Sequence, residues 1–487
     1  MTTESSAGTT TASADIIDFL ADLDPDSDIS GPVARLRHHR AQARDNAQRS
    51  FHALFEPETP GDFTLAERYA VAAFVAGLHG GATAAARATS LYTDLLVDEL
   101  DGNAAPAETD ALLTTLAAVV SDARAHVNAA GVPTPYGVYR EPDLAAESVP
   151  GPEFRLLEAQ KKVLGPRLST ALEFTHLLVL HPRDSRAERL QPLADTGWSP
   201  TEVVRLAQLV SFLTFQIRTA HGLGVLSTKF VPQGDVRRPG RRAGGRQTDA
   251  PRRPVHAEEA PGTGLDAGFD VLTYPDLVRP TGFVTHSLGW VPWVPPVDEA
   301  DLTERQKEAL VDPLRAKSEY FRLLARDPEA LEARTLTDKD IFFNVTDGAG
   351  RAERELSAAV TSRFNGCVYC ASVHTGRAIV ESAKAAEVAG TPEAAALAGE
   401  QADAVRRLCD EGVSADLGSD LWNAIRDASV ALATVPVRFG ASHVAALRHA
   451  GLSDGEIVDV INAASFFNWA NRLMLSLGEP ELPKRFR

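Results

Sequence analysis

Apolar residues recur at spacings of three and four along most of the chain, and strict alternation is scarce. That pattern, carried by Ala-, Leu- and Glu/Arg-rich segments, predicts an all-α protein with little or no sheet. The first helical pattern opens at Asp15-Ile-Ile-Asp-Phe-Leu and continues, with turns, to about Leu226. Periodicity then stops: the stretch around Gly234 to Gly264 is rich in Pro, Gly and Arg and nearly free of large apolar side chains, so it cannot bury a core. Phe283 to Val294, FVTHSLGWVPWV, predicts an apolar non-helical segment packed on a helical body. Helical patterns resume at Thr303 to Ala316 and Ser318 to Arg326, and from about Arg351 to the C-terminus with breaks at glycines; Pro328 and the Asp-rich Thr337 to Asp340 are expected to interrupt them. The resulting division is a disordered tail at 1–14, a helical domain at 15–230, a linker at 231–265 and a second helical domain at 266–487.

A length of 487 residues is consistent with that division, because single cores stop growing well below it. With 44% hydrophobic and 24% charged residues the composition is that of a globular protein. The formal net charge of -17 argues against a nucleic-acid partner. Seven arginines between Arg237 and Arg253 are read as part of a solvated linker. The N-terminus lacks the basic start and apolar run of a secretory signal. No window approaches the roughly 18 apolar residues of a membrane-spanning helix. The expectation is a cytoplasmic protein without a membrane partner.

The two halves resemble each other. Gly197 to Arg218, GWSPTEVVRLAQLVSFLTFQIR, aligns without a gap on Gly451 to Arg472, GLSDGEIVDVINAASFFNWANR, with Ser199/Ser453, Glu202/Glu456, Phe212/Phe466 and Arg218/Arg472 among the identities. Each copy opens with Ser and carries Glu three residues on, the capping-box pattern. A shorter match sets Ala66–Ala88 against Arg354–Ala378; it pairs Glu67 with Glu355 and puts His79, Ala82 and Ala86 where the second half has Cys367, Cys370 and His374. In this register the first half keeps the frame and lacks the chemistry.

The three cysteines, Cys367, Cys370 and Cys409, are too few for a disulfide framework. Asn365-Gly366 should end one helix, with Asn365 capping the next. Cys367, Cys370 and His374 then stand at i, i+3 and i+7, within about 60° of one face. A helix N-terminus favours thiolate, and Cys-x-x-Cys closes a disulfide over a short loop. Buried structural thiols are one alternative. A zinc site is another, with Cys367, Cys370 and His374 as three ligands, although no motif supplies the fourth. Cys409, alone in VRRLCDEG, reads as a packed thiol.

Glu355-x11-Cys367-x2-Cys370-x3-His374 resembles the active-site motif of the alkylhydroperoxidase D-like family, which shares an all-helical fold with the carboxymuconolactone decarboxylases. The GWVPW segment and Ser318–Arg334 resemble a peroxidase-related branch. The resemblance covers about residues 270–487, and the first half is similar in degenerate form. It implies two tandem alkylhydroperoxidase-like helical domains, an activity needing neither cofactor nor metal, a hydroperoxide substrate, a lipoyl-type or thioredoxin-type dithiol reductant, and a homo-oligomer. By the same resemblance Cys370 is the peroxidatic sulfur and Cys367 resolves it, while His374 moves the proton and Glu355 orients and charges it. Many members carry a second His between the cysteines; here the slot holds Tyr369. Two further readings remain open: a redox sensor or assembly protein whose disulfide does not turn over, and decarboxylase-type lactone chemistry.

Overall fold

The computed structural model describes residues 15–81, 83–228, 269–344, 346 and 348–487; the tail at 1–14 and the linker at 231–265 lie outside them. Among the described residues there are eighteen α-helices and one two-stranded sheet, so the protein is all-α.

Twelve helices carry the architecture. Before the linker they are α1 (Ala41–Phe55), α2 (Leu65–His79), α3 (Thr83–Leu100), α4 (Pro106–Ala130), α5 (Glu158–Leu180) and α6 (Pro200–Ser227). After it come α7 (Pro328–Phe343), α8 (Arg351–Asn365), α9 (Val368–Ala389), α10 (Pro392–Glu411), α11 (Asp420–Ala433) and α12 (Asp454–Ser476). Local chemistry sets their starts. Ser199 with Glu202, and Ser453 with Glu456, form reciprocal capping boxes at α6 and α12, as the repeat implies, and Thr64 with Glu67 does the same at α2. Pro328 does not interrupt a helix but starts one, at the position where its missing N–H costs nothing, with Asp327 accepting from the Ala330 amide. The break expected at Thr337–Asp340 is also absent, because α7 runs through it. The buried Asp340 earns its place in the tertiary structure, accepting from the Ala43 amide at 2.8 Å.

The two sets of six pack in parallel fashion. α2 and α3 form an antiparallel hairpin, as do α8 and α9; α2, α5 and α6 pack on one another, as do α8, α11 and α12. Across the halves α1 lies on α7 and α6 on α12. Aromatic rings interlock along the second contact, Phe212 with Trp469 at 5.1 Å and Phe215 with Phe466 at 6.1 Å, so one apolar core continues through both halves. The repeat residues Arg218 and Arg472 are fully buried. Each reaches across to carbonyls at or just beyond the end of the other half's fifth helix: Arg218 donates to Ala433 O (3.3 Å) and Thr434 O (3.5 Å), and Arg472 to Val179 O (3.1 Å). Arg40, ahead of α1, makes a buried two-pronged ion pair with Asp459 of α12 at 2.8 and 2.7 Å.

The structure moves the shorter sequence match by two residues. α2 and α8 are both fifteen residues long and end at positive-φ glycines, Gly80 and Gly366. Arg68 and Arg354, fourth in each, bond carbonyls at the end of the preceding helix, Leu54 O and Ile341 O. Glu355 therefore faces Tyr69, not Glu67, and Asn365 faces His79. Alanine-rich helices offer too few distinctive side chains to hold a register. Ala82 lies outside the described residues.

The apolar FVTHSLGWVPWV segment is non-helical, as expected. Its β1 (Gly289–Pro292) pairs antiparallel with β2 (Gly478–Glu481), Trp290 opposite Pro480. Trp290 and Trp293 are buried, and the Trp290 indole donates to Met474 O at 3.1 Å. No helix among the described residues is long and apolar enough to cross a membrane.

Candidate functional site

The site is built on the α8–α9 hairpin. Asn365 does not cap α9 as expected; it closes α8, and its amide donates to Asn468 Oδ1 (3.2 Å) and Asn471 Oδ1 (3.0 Å) of α12. Asn471 in turn donates to Ser362 Oγ at 3.0 Å, and Arg472 to Asn468 Oδ1 at 3.0 Å. This buried amide network anchors the turn beneath the cysteines. Gly366 makes the turn at φ 81°. Cys367 is then the N-cap residue of α9, and Cys370 lies in its first turn.

The two thiols are free and buried, Cys367 at 1% exposure and Cys370 at 5%, and they are hydrogen-bonded neighbours. The helix start was expected to favour thiolate. For Cys367 burial outweighs it: desolvation, then the adjoining Cys370 thiol, hold Cys367 well above the usual thiol range despite the favourable Cys370 amide. The phenol of Tyr369 is pushed up to about 12 by burial and then by the two thiols, so it is no base at neutral pH.

One helical turn beyond Cys370, His374 meets Glu355: His374 Nδ1 lies 2.5 Å from Glu355 Oε2. Glu355 is fully buried, and its other oxygen accepts from Arg351 Nε at 2.7 Å. Burial raises the Glu355 carboxyl, but the charges and hydrogen bonds of His374 and Arg351 overcome it and hold the group below its ordinary value. With Nδ1–H donated to this carboxylate, His374 keeps Nε2 free to accept a proton. Its ring is walled by Phe467 at 4.1 Å and Phe342 at 5.7 Å. No direct hydrogen bond joins His374 to either sulfur among the described residues, so proton transfer there needs a short approach or a bridging molecule.

The structure thus brings Glu355 and His374 together, and Cys367 and Cys370 together, on adjoining turns of one hairpin. No three His, Cys, Asp or Glu side chains among the described residues converge as a metal-ligand set. Cys409 is buried on α10 in a small apolar cluster with Val368 and Ala371, its thiol pushed up to about 11 mainly by burial.

Several neighbours went unread in the sequence. Arg351 stands four residues before Glu355, a spacing that offered a signal. Asp338 of α7, raised mainly by burial, feels the charges of Arg334, His374 and Arg315. Tyr320 is half-buried near both thiols, its hydroxyl oxygen enclosed without a partner. From the first half, the stem of Arg183 and the ring of Tyr139 lie over Gly366. Only tertiary structure reveals these.

Residues 328–410, from α7 into α10, match the carboxymuconolactone decarboxylase family. That span contains Glu355, all three cysteines and His374. No curated protein and no solved structure is matched.

Proposed function

We propose that the protein is a thiol-dependent peroxidase acting through Cys367 and Cys370. The observation that carries this reading is the pairing of buried Glu355 with half-buried His374 one turn from a reduced Cys-x-x-Cys. His374 Nε2 takes the proton of the Cys370 thiol, directly or through a water. The thiolate attacks one oxygen of the hydroperoxide; the S–O bond forms as the O–O bond breaks. His374 returns the proton to the departing oxygen, giving an alcohol or water and Cys370 sulfenic acid. Cys367 then displaces the hydroxyl as water, and the disulfide is reduced by an external dithiol. Glu355 holds the ring tautomer and stabilises the imidazolium that forms.

The first half is read as a copy of the same helical domain without its own thiols. It supports the α6–α12 contact from within one chain, and the assembly is taken to be a homo-oligomer of such paired units. The burial of both sulfurs favours one further reading, a disulfide that reports oxidation without turnover.

The test is steady-state consumption of an organic hydroperoxide with a dithiol. Wild-type protein should turn over and Cys370→Ser should not. If Cys370→Ser matches wild type the peroxidase reading falls; if the wild type forms the disulfide stoichiometrically but never turns over, the sensor reading stands in its place.

A further inference from the structure

Two polar side chains beside the thiols take no part in the relay. Arg334 of α7 is only 6% exposed, yet no hydrogen bond or ion pair among the described residues engages its guanidinium, and its Nε is enclosed without a partner. Aromatic rings hold it instead: Cζ lies 5.2 Å from the centroid of Phe466 and 5.8 Å from those of Tyr320 and Trp469. Such contacts fix a guanidinium in place and leave its N–H donors unused. Asp338, one turn on along α7, offsets part of the charge through space but forms no ion pair with it. Tyr320, in the short helix Glu319–Leu324, stands edge-on against Trp290 at 5.4 Å, and its enclosed hydroxyl oxygen has no partner. An enclosed hydroxyl of this kind forfeits the hydrogen bonds it would make in water, so packing alone would be served as well by phenylalanine. Trp290 lines the same cleft as Cys367, and Tyr320 feels the charges of Arg334 and of both thiols. On the other side, Asp338 feels both Arg334 and His374, and Phe467, which walls His374 at 4.1 Å, adjoins the Phe466 ring under the guanidinium. The two idle donors thus neighbour both the sulfur pair and the relay.

We propose that Arg334 and Tyr320 bind the departing oxygen of the hydroperoxide. The inference rests on the peroxidase reading of the Cys367–Cys370 pair and adds to it a cradle for the charge that the reaction creates. As the Cys370 sulfur gives two electrons to the nearer oxygen, the S–O bond forms, the O–O bond breaks and negative charge gathers on the far oxygen. The guanidinium and the phenol donate hydrogen bonds to that oxygen until His374 delivers its proton. The products are Cys370 sulfenic acid and an alcohol or water. Tyr320 keeps its own proton throughout, as burial of the phenol favours.

The test is stopped-flow oxidation of pre-reduced, full-length protein by two oxidants that differ in the oxygen they release. Cumene hydroperoxide must expel an alkoxide-like oxygen, whereas peracetic acid expels a carboxylate that is stable without help. Tyr320→Phe should slow oxidation by cumene hydroperoxide at least about tenfold, the scale of one lost hydrogen bond to a charged group, and oxidation by peracetic acid less than about threefold. Arg334→Met, which keeps an apolar stem among the rings, should show the same selective loss, and Arg334→Lys should recover part of it. Alkylation of Cys370 by iodoacetamide, which releases no oxygen, reports thiolate formation and access and should stay within about twofold of wild type in each variant. Equal losses with both oxidants, or a parallel loss in alkylation, would assign the two side chains to packing or to thiolate formation and overturn the proposal while the peroxidase reading stands. An unchanged cumene hydroperoxide rate in either Tyr320→Phe or Arg334→Met would overturn it too. If neither oxidant acts on wild-type protein faster than on Cys370→Ser, the proposal and the peroxidase reading fall together.

Discussion

Replacing Glu355 by Gln removes one charge from the proton relay and almost no volume. In the wild type the fully buried carboxylate faces His374 Nδ1 at 2.5 Å, with Arg351 on its other oxygen. When His374 takes the Cys370 proton it becomes an imidazolium, and the neighbouring carboxylate offsets that charge. A hydrogen bond to a charged partner contributes about 1.5–3 kcal/mol net, which corresponds to roughly a ten- to hundredfold change in rate. Gln still accepts through its carbonyl, so the ring stays oriented and the loss should fall in this range rather than at abolition. The assay is stopped-flow oxidation of pre-reduced protein by a single equivalent of hydroperoxide, which isolates the first chemical step from reductant. A loss under about threefold would refute the relay, since no charge-assisted bond of this burial is worth so little. The same variant has a stability signature. The Glu355 carboxyl sits below its unfolded value of 4.5, so its contribution is present above that pH and is lost as pH falls through the lower folded value. Wild type should lose this increment on acidification, and Glu355→Gln should not have it to lose.

Other expected outcomes follow from particular contacts. Gly366→Ala forces an L-residue to φ 81° and drives Cβ into the Arg183 stem, so thermal unfolding should show a loss of at least about 2 kcal/mol. Arg40→Met strands Asp459 in the α12 contact; denaturant titration should register about 3–5 kcal/mol, the cost of an orphaned buried charge. His79 is neutral, its Nε2 accepting from Arg218 at 2.7 Å and its pKa held well below the usual range by burial and then by Arg218. His79→Ala should lower stability by about 1–3 kcal/mol while leaving single-turnover oxidation within about twofold.

What could be read in the sequence was what short-range chemistry decides. Ser199 and Ser453 cap their helices because the Glu three residues on completes a local hydrogen-bond pair, and Glu355, Cys367, Cys370 and His374 share a hairpin because they lie within twenty residues on two helices. What escaped depends on distant chain. Asp340 looked like a helix breaker, since its partner is an amide nearly three hundred residues away. Asn365 looked like an N-cap, since its partners lie on α12. The thiolate expected of a helix N-terminus gave way at Cys367 to burial that no local pattern reports. Arg183 and Tyr139, which lie over Gly366, come from the first half, whose sequence carried no chemical motif.

The central claim is that Cys370 is the sulfur that attacks. Its most direct test is to oxidise Cys367→Ser protein with one equivalent of an organic hydroperoxide in the presence of a sulfenic-acid trap, and to map the adduct by peptide mass spectrometry. The adduct should form on Cys370, with Cys409 unmodified, and should vanish when His374 is also replaced by Gln. An adduct on Cys409, or a Cys370 that stays unlabelled while Cys367 becomes labelled in Cys370→Ser, would contradict it.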